Sequence, residues 1–170
     1  MKHFKVLIIV ILALLSLGLF QGCGIYSFTG ASYGSAKTFT VENFVNKATY
    51  VNPTLATKIT EDLKDRFMSQ TPLALVTSGG DLNFSGTITG YKISSQDISS
   101  KGTATKNRLT ISIKVTFTNE TDSENDFEKT YSRYSEYDVK NTFNSVESSL
   151  VDEIITLIID DIFNDSVVNW

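Results

Sequence analysis

Ten residues decide the fold of this chain: Leu109-Thr110-Ile111-Ser112-Ile113-Lys114-Val115-Thr116-Phe117-Thr118. Apolar and polar side chains alternate strictly along them. Because successive side chains of a strand point to opposite faces of a sheet, the five apolar residues share one face. The stretch is therefore predicted to be a central antiparallel strand, with its apolar face on the core and its polar face turned outward.

Two segments before this strand extend the predicted sheet. Residues 37–42 and 82–89 alternate in the same way and are predicted to be strands. Gly86 in the second segment and Gly90 directly after it predict a bulge or a close approach of another backbone. The polar residues 94–107 then predict a long hairpin or one that ends in a mobile loop.

The segment 127–137 is predicted to be the last strand. Phe127 and Tyr131 fit a period of two residues, whereas Tyr134 and Tyr137 break it. The segment is rich in charged side chains, which protect an exposed strand from unwanted pairing. It is therefore predicted to be an edge strand.

A first helix is predicted over residues 53–69. Asn52 can cap the free N–H groups at its start, and Pro53 is well suited to a first helical position. Apolar residues then recur every four positions and form one stripe; they are Leu55, Ile59, Leu63 and Phe67. Pro72 marks a point before which this helix must end.

The strongest helical pattern lies at the end of the chain. Asn144 and Glu147 have the spacing of a capping box. A core stripe follows, formed by Val146, Leu150, Ile154, Leu157, Ile158 and Ile162. Ile155, Ile159 and Phe163 widen the stripe beyond one face, which predicts a helix covered on more than one side.

In chain order the predicted elements are β-α-β-β-β-α. A crossover through the first helix, followed by an antiparallel meander, gives an α/β (α+β) two-layer sandwich. Its mixed four-stranded sheet carries two helices on one face, and the other face shows Thr, Ser, Asn and Lys. Residues 25–28 also alternate and predict a short extra strand.

The N-terminal residues indicate export and lipidation. Lys2 and Lys5 precede an apolar run from Val6 to Phe20, and Cys23 follows shortly after. This pattern is typical of a secretory signal and is too short for an ordinary membrane span. Lipidation of Cys23 after cleavage would explain why an exported chain holds a single cysteine. The alternative is an N-terminal membrane anchor that is never cut.

These features divide the chain into a signal peptide (1–22), a lipidated tether (23–36) and a single domain (37–170). Without the signal the chain keeps 13 basic and 19 acidic side chains, a net charge of −6. This acidic balance disfavours nucleic-acid binding and leaves the acyl chains as the expected attachment to a membrane.

The mature domain lacks the side chains on which most enzyme chemistry depends. The only histidine, His3, lies in the signal, so neither an imidazole nor a free thiolate is expected in the domain. The adjacent carboxylates Asp152 and Glu153 would point about 100° apart on a helix, a poor geometry for an acid/base pair. We therefore expect no catalytic residue, metal site or cofactor, and no enzyme.

One group of basic residues stands out in this acidic chain. The predicted hairpin brings Lys92, Lys101, Lys106 and Arg108 towards one end of the sheet. Such a group could hold the phosphates of an anionic glycolipid such as lipopolysaccharide, with Arg108 as the bidentate partner. The alternative is ordinary solubilising charge.

Five segments together resemble a known family: CGIYSFTG (23–30), KTFTVENF (37–44), VNPTL (51–55), NRLTI (107–111) and DIFN (161–164). They are similar to the LptE family of lipopolysaccharide-assembly lipoproteins, in the form found in Bacteroidetes-type bacteria. The resemblance spans nearly the whole mature chain.

The resemblance implies a small α/β lipoprotein of the outer membrane. Such a protein sits as a plug in the lumen of a large LptD-like β-barrel, on the periplasmic side, and helps it assemble and deliver lipopolysaccharide to the surface. The lipid tether and the polar sheet face agree with that role. The competing hypothesis is a free-standing envelope lipoprotein that binds a ligand or acts as a scaffold.

Overall fold

The computed structural model describes residues 33–50, 52–98 and 104–168. This part of the chain forms six strands and two helices: β1 (Thr38–Val41), β2 (Val45–Asn46), α1 (Leu55–Gln70), β3 (Ala74–Leu75), β4 (Leu82–Ile98), β5 (Ala104–Asn119), β6 (Phe127–Asp138) and α2 (Phe143–Val167). A short 3₁₀ turn, Ser123–Asn125, precedes β6. The strand predicted at residues 25–28 lies outside the described residues.

The sheet is mixed, as predicted, but it has six strands rather than four. The strand order is β3-β1-β4-β5-β6, and β2 pairs with β4 beyond the end of β1. The first three strands run parallel to their neighbours, whereas β4, β5 and β6 form an antiparallel meander. The prediction missed β2 and β3 because each has two residues, too few for an alternating pattern to show.

The central strand β5 confirms the prediction from its alternation. All five apolar residues from Leu109 to Phe117 are fully buried. The predicted bulge lies in the partner strand β4, between Ile88 and Gly90. The close approach at Gly86 involves a side chain, because a Cβ there would lie 2.2 Å from Cε1 of the Phe44 ring.

Both helices pack on the same face of the sheet. The predicted stripe of α1, from Leu55 to Phe67, is fully buried. Ion pairs join Lys58 to Asp152 and, two turns later, Arg66 to Asp160, so the two helices run in the same direction. This arrangement encloses one core between the helices and the sheet.

The last helix, α2, is covered on more than one side, as predicted. Ile155, Ile159 and Phe163 are buried, and the Phe163 ring packs at 5.1 Å from that of Phe67 on α1. Leu157 was predicted to be in the core but is 41% exposed. The reason is that it lies one turn from Glu153 and one turn from Asp161, which contact the edge strand β6, so Leu157 is at the rim of the α2–β6 contact.

The predicted capping box of α2 is wrong. The helix begins at Phe143 and has no side-chain capping bond. Instead, Glu147 Oε1 accepts hydrogen bonds from Tyr91 Oη at 2.6 Å and from Asn52 Nδ2 at 2.9 Å. Burial, together with the bond to Glu147, raises the pKa of Tyr91 well above its usual value, so Tyr91 stays a donor. Glu147 thus joins β4, the start of α1 and α2.

The edge strand β6 pairs only with β5 among the described strands, as predicted. Tyr131 and Tyr137 are both buried on the helix side. Tyr137 therefore continues the two-residue period, and the prediction that it breaks the period is wrong. Four side chains of β6 bind this strand to α2: Lys129 and Tyr131 contact Asp165, Arg133 contacts Asp161, and Ser135 contacts Glu153.

The start of β1 is held by one carboxylate from a distant part of the chain. Asp81 Oδ2 accepts hydrogen bonds from the backbone N–H of Lys37 at 2.8 Å, and from the hydroxyl and N–H of Thr38. These bonds, led by the one from Lys37, lower the pKa of Asp81.

Candidate functional site

The candidate site is the face of the sheet that the helices leave uncovered, which we call the open face. It consists of the side chains of β4, β5 and β6 that alternate with the buried ones. Cross-strand rows build it, for example Thr87–Lys114–Thr130, Gly90–Ser112–Ser132 and Lys92–Thr110–Tyr134. β6 binds α2 through its opposite face. Neither described helix therefore packs on the open face.

Hydroxyl groups dominate the middle of the open face. The Ser112 and Ser132 hydroxyls are 2.9 Å apart, and the Thr89 hydroxyl donates to the Ser112 carbonyl at 3.3 Å. One ion pair, Lys114 to Glu128 at 2.7 Å, lies beside them. Short hydroxyl side chains form hydrogen bonds with water or with a polar partner at little entropic cost. This area suits contact with a hydrated or polar surface.

The basic end of the open face lies towards the hairpin tip. The register places Lys92, Arg108 and Lys106 on the same face in neighbouring rows. Arg108 donates to Glu136 Oε1 from Nε at 3.1 Å and from Nη2 at 2.5 Å, and Lys106 lies 3.6 Å from the same carboxylate. The bond from Arg108 is the main reason that the pKa of Glu136 is lowered.

Arg108 also stacks on an aromatic ring. Its guanidinium carbon lies 3.9 Å from the centre of the Tyr134 ring, which is 52% exposed. The stacking and the carboxylate fix the orientation of the guanidinium, and its Nε–Nη2 edge, which was expected to bind a phosphate, is engaged by Glu136. The structure thus adds Tyr134 and Glu136 to the candidate site.

The structure brings together three of the four basic residues that the sequence analysis proposed. Lys92 makes no ion pair with a described residue, whereas Lys106 and Arg108 share Glu136. Lys101 and Cys23 lie outside the described residues. Sequence reasoning missed Glu136 because its place opposite Arg108 depends on the β5–β6 register. That register follows from the turn between the two strands, whose length the alternation does not fix.

The carboxylates of α2 make structural contacts in the described part of the chain. No group of three or more His, Cys, Asp or Glu among them could hold a metal ion. The helical carboxylates Asp160 and Asp161 are engaged in ion pairs with Arg66 and Arg133. None of the described helices is both long and apolar enough to cross a membrane.

Together, the fold and the open face define a class of protein: a small α+β domain that presents a polar interaction surface. The model of the LptE family, described as lipopolysaccharide-assembly, matches residues 36–166. The chain belongs to this family. It is an envelope lipoprotein of lipopolysaccharide assembly.

Solved structures share the fold at low sequence identity. The protein CT253 from Chlamydia trachomatis has a TM-score of 0.54 and 8% identity, covering 78% of this chain and 98% of its own. Lipoprotein B from Nitrosomonas europaea has a TM-score of 0.50 and 12% identity, with 75% and 80% covered. A comparison with curated proteins finds no match to this chain.

Proposed function

We propose that this lipoprotein, lipidated at Cys23 in the outer membrane, is the plug and assembly partner of a β-barrel lipopolysaccharide translocon. The observation that carries the proposal is the open face, which is mainly polar over β4, β5 and β6 and contains a single exposed aromatic ring, Tyr134, in its described part. The exposed Val45 of β2 borders it beside Thr87. The lumen of an outer-membrane barrel is lined by polar side chains and water. The open face therefore fits against a barrel wall, where an apolar face would not.

The length of the hairpin supports the same role. The seventeen residues of β4 span about 55 Å at ~3.3 Å per residue. The hydrocarbon core of a bilayer is about 30 Å thick. The β4–β5 hairpin is thus long enough to extend through the height of a barrel.

The test is purification from outer membranes in mild detergent, with matched bulky substitutions on two surfaces. Ser132→Trp places a large side chain on the open face, and Ser148→Trp places one on the solvent side of α2; both serines are exposed. We expect the unaltered protein and Ser148→Trp to retain a β-barrel in roughly equal amounts. Ser132→Trp should lose most of the barrel, because the open face no longer fits the wall.

Two other outcomes would contradict this proposal in different ways. Absence of a barrel from all three preparations would favour the free-standing envelope lipoprotein. Equal retention by all three would place the barrel contact on another surface. Circular dichroism of each variant shows whether a loss arises from unfolding.

We further propose that Lys92, Lys101, Lys106 and Arg108 contact the phosphates of lipopolysaccharide. Lys92 is exposed and makes no ion pair with a described residue, and the register places Arg108 and Lys106 on the same face, which supports this assignment. Alanine at all four positions should weaken binding of purified lipopolysaccharide by about tenfold or more, since several charge-assisted bonds are lost together. The control removes four exposed or partly exposed cations elsewhere: Lys37, Lys47, Lys64 and Lys140. Equal weakening in both variants would mean that the basic group has only a general charge effect.

A further inference from the structure

Part of β4 is an exposed sheet edge. β1 and β2 cover this strand as far as Ile88, whose carbonyl accepts from Lys47 N at 3.0 Å. Beyond the bulge, β5 is the only strand that pairs with β4 in the described chain. Backbone groups of a strand point alternately to its two sides, so those of Ile93 and Ser95 face away from β5. We call residues 91–96 the open β4 edge.

The two exposed edges of the sheet differ in their protection. On β6, Lys129 and Arg133 form ion pairs with Asp165 and Asp161 of α2. Charged side chains on an edge strand disfavour pairing with another strand. The open β4 edge carries one charged side chain, Lys92. Its Ile93 is 43% exposed. By the usual criteria this edge is a template for a further strand.

The charges around the open β4 edge indicate what kind of strand fits. On the open-face side, an added strand would lie next to Lys92, with Arg108 one row further along. On the helix side it would meet Ile93 and the exposed Tyr50 ring, which stacks on Tyr91 at 5.1 Å. The matching segment alternates acidic residues on one side with apolar residues on the other.

We propose that the open β4 edge binds an extended segment of a partner protein, in which acidic and apolar residues alternate, as an additional strand of the sheet. A second copy of this chain fits less well, because pairing the same edges would bring two Lys92 side chains onto one face. The edge shares Lys92 with the open face, but peptide binding to the isolated protein tests it without the barrel, so its outcome is independent of the barrel purification.

The test uses the full-length protein in detergent and two capped hexapeptides, one alternating Glu with Val and one alternating Lys with Val. We expect the acidic peptide to bind about fivefold more tightly in fluorescence anisotropy, because of its cross-strand charge pairs. Lys92→Glu should reverse this preference. Equal binding of the two peptides, or no binding of either, would overturn the proposal.

Proline substitutions then locate the binding to the edge. Ser95→Pro removes an N–H that points away from β5 but leaves the β4–β5 hydrogen bonds intact. It should weaken binding of the acidic peptide by more than about tenfold. Thr130→Pro makes the matching change on the β6 edge and should leave binding unchanged. If circular dichroism shows that Ser95→Pro is poorly folded, the reversal of peptide preference by Lys92→Glu is the deciding test of the proposal.

Hydrogen exchange of the unliganded protein checks that the edge is free. We expect rapid exchange at Ile93 and Ser95 and protection when the acidic peptide is added. Protection in the absence of peptide would mean that a second copy or another part of this chain already covers the edge, and would overturn the proposal.

Discussion

Replacing Phe67 with alanine is expected to lower the free energy of unfolding by about 4 kcal/mol, the usual cost of a large cavity in a core. Phe67 is fully buried on α1, and its ring lies 5.4 Å from Phe39, 4.7 Å from Phe84 and 5.1 Å from Phe163. Because these neighbours come from two strands and the other helix, no single element can move to fill the space.

Urea unfolding followed by circular dichroism measures this change. Met68 supplies the control, since it is the next residue of the same helix and is 47% exposed. Met68→Ala should change the free energy of unfolding by less than about 0.5 kcal/mol. A loss below about 1 kcal/mol for Phe67→Ala would mean that the two helices do not share one core with the sheet.

The sequence predicted the elements whose periodicity runs over many residues. Five alternating apolar residues in β5, and a four-residue repeat from Leu55 to Phe67, each give the buried face directly. Hydrophobic burial acts on whole faces, so its pattern survives local irregularities. The bulge in β4 was also predictable, because Gly86 and Gly90 interrupt an otherwise regular strand.

Other features depend on contacts that no local pattern encodes. The two-residue strands β2 and β3 exist because β4 and β1 offer them backbone partners. Asp81 looks like a turn residue, yet it binds Lys37 and Thr38 more than 40 positions earlier. Leu157 fits the helical repeat, but it lies at the rim of the contact between α2 and the edge strand β6, where only part of its side chain is covered.

The sequence predicted the basic residues of the candidate site but not the side chains with which they make contact. Lys92, Lys106 and Arg108 stood out because the rest of the chain is acidic. The carboxylate that orients Arg108 and the ring beneath it, Glu136 and Tyr134, come from the next strand. Their position relative to Arg108 is set by register, and a shift of one residue would place both on the other face.

Replacing Glu147 with alanine is expected to lower the free energy of unfolding by about 2 to 3 kcal/mol, because two hydrogen bonds to a charged acceptor are lost and a buried hydroxyl is left unpaired. The carboxylate of Glu147 accepts hydrogen bonds from Tyr91 Oη at 2.6 Å and from Asn52 Nδ2 at 2.9 Å. Tyr91 is 7% exposed, so water cannot readily replace this acceptor. Urea unfolding measures the change, and Tyr91→Phe should recover part of the loss in the double variant.

Asn144 distinguishes this role of Glu147 from the capping box that its spacing suggested. In a capping box, Asn144→Ala would cost about 1 kcal/mol, since its side chain would hold an N–H of the first turn. In the structure Asn144 is exposed and α2 has no side-chain capping bond, so this substitution should be nearly neutral. Similar losses in the free energy of unfolding for Asn144→Ala and Glu147→Ala would support the capping box that the spacing suggested. A large loss confined to Glu147 would show that this residue holds α2 to β4 and α1, which stabilises the sandwich at the end where the basic residues lie.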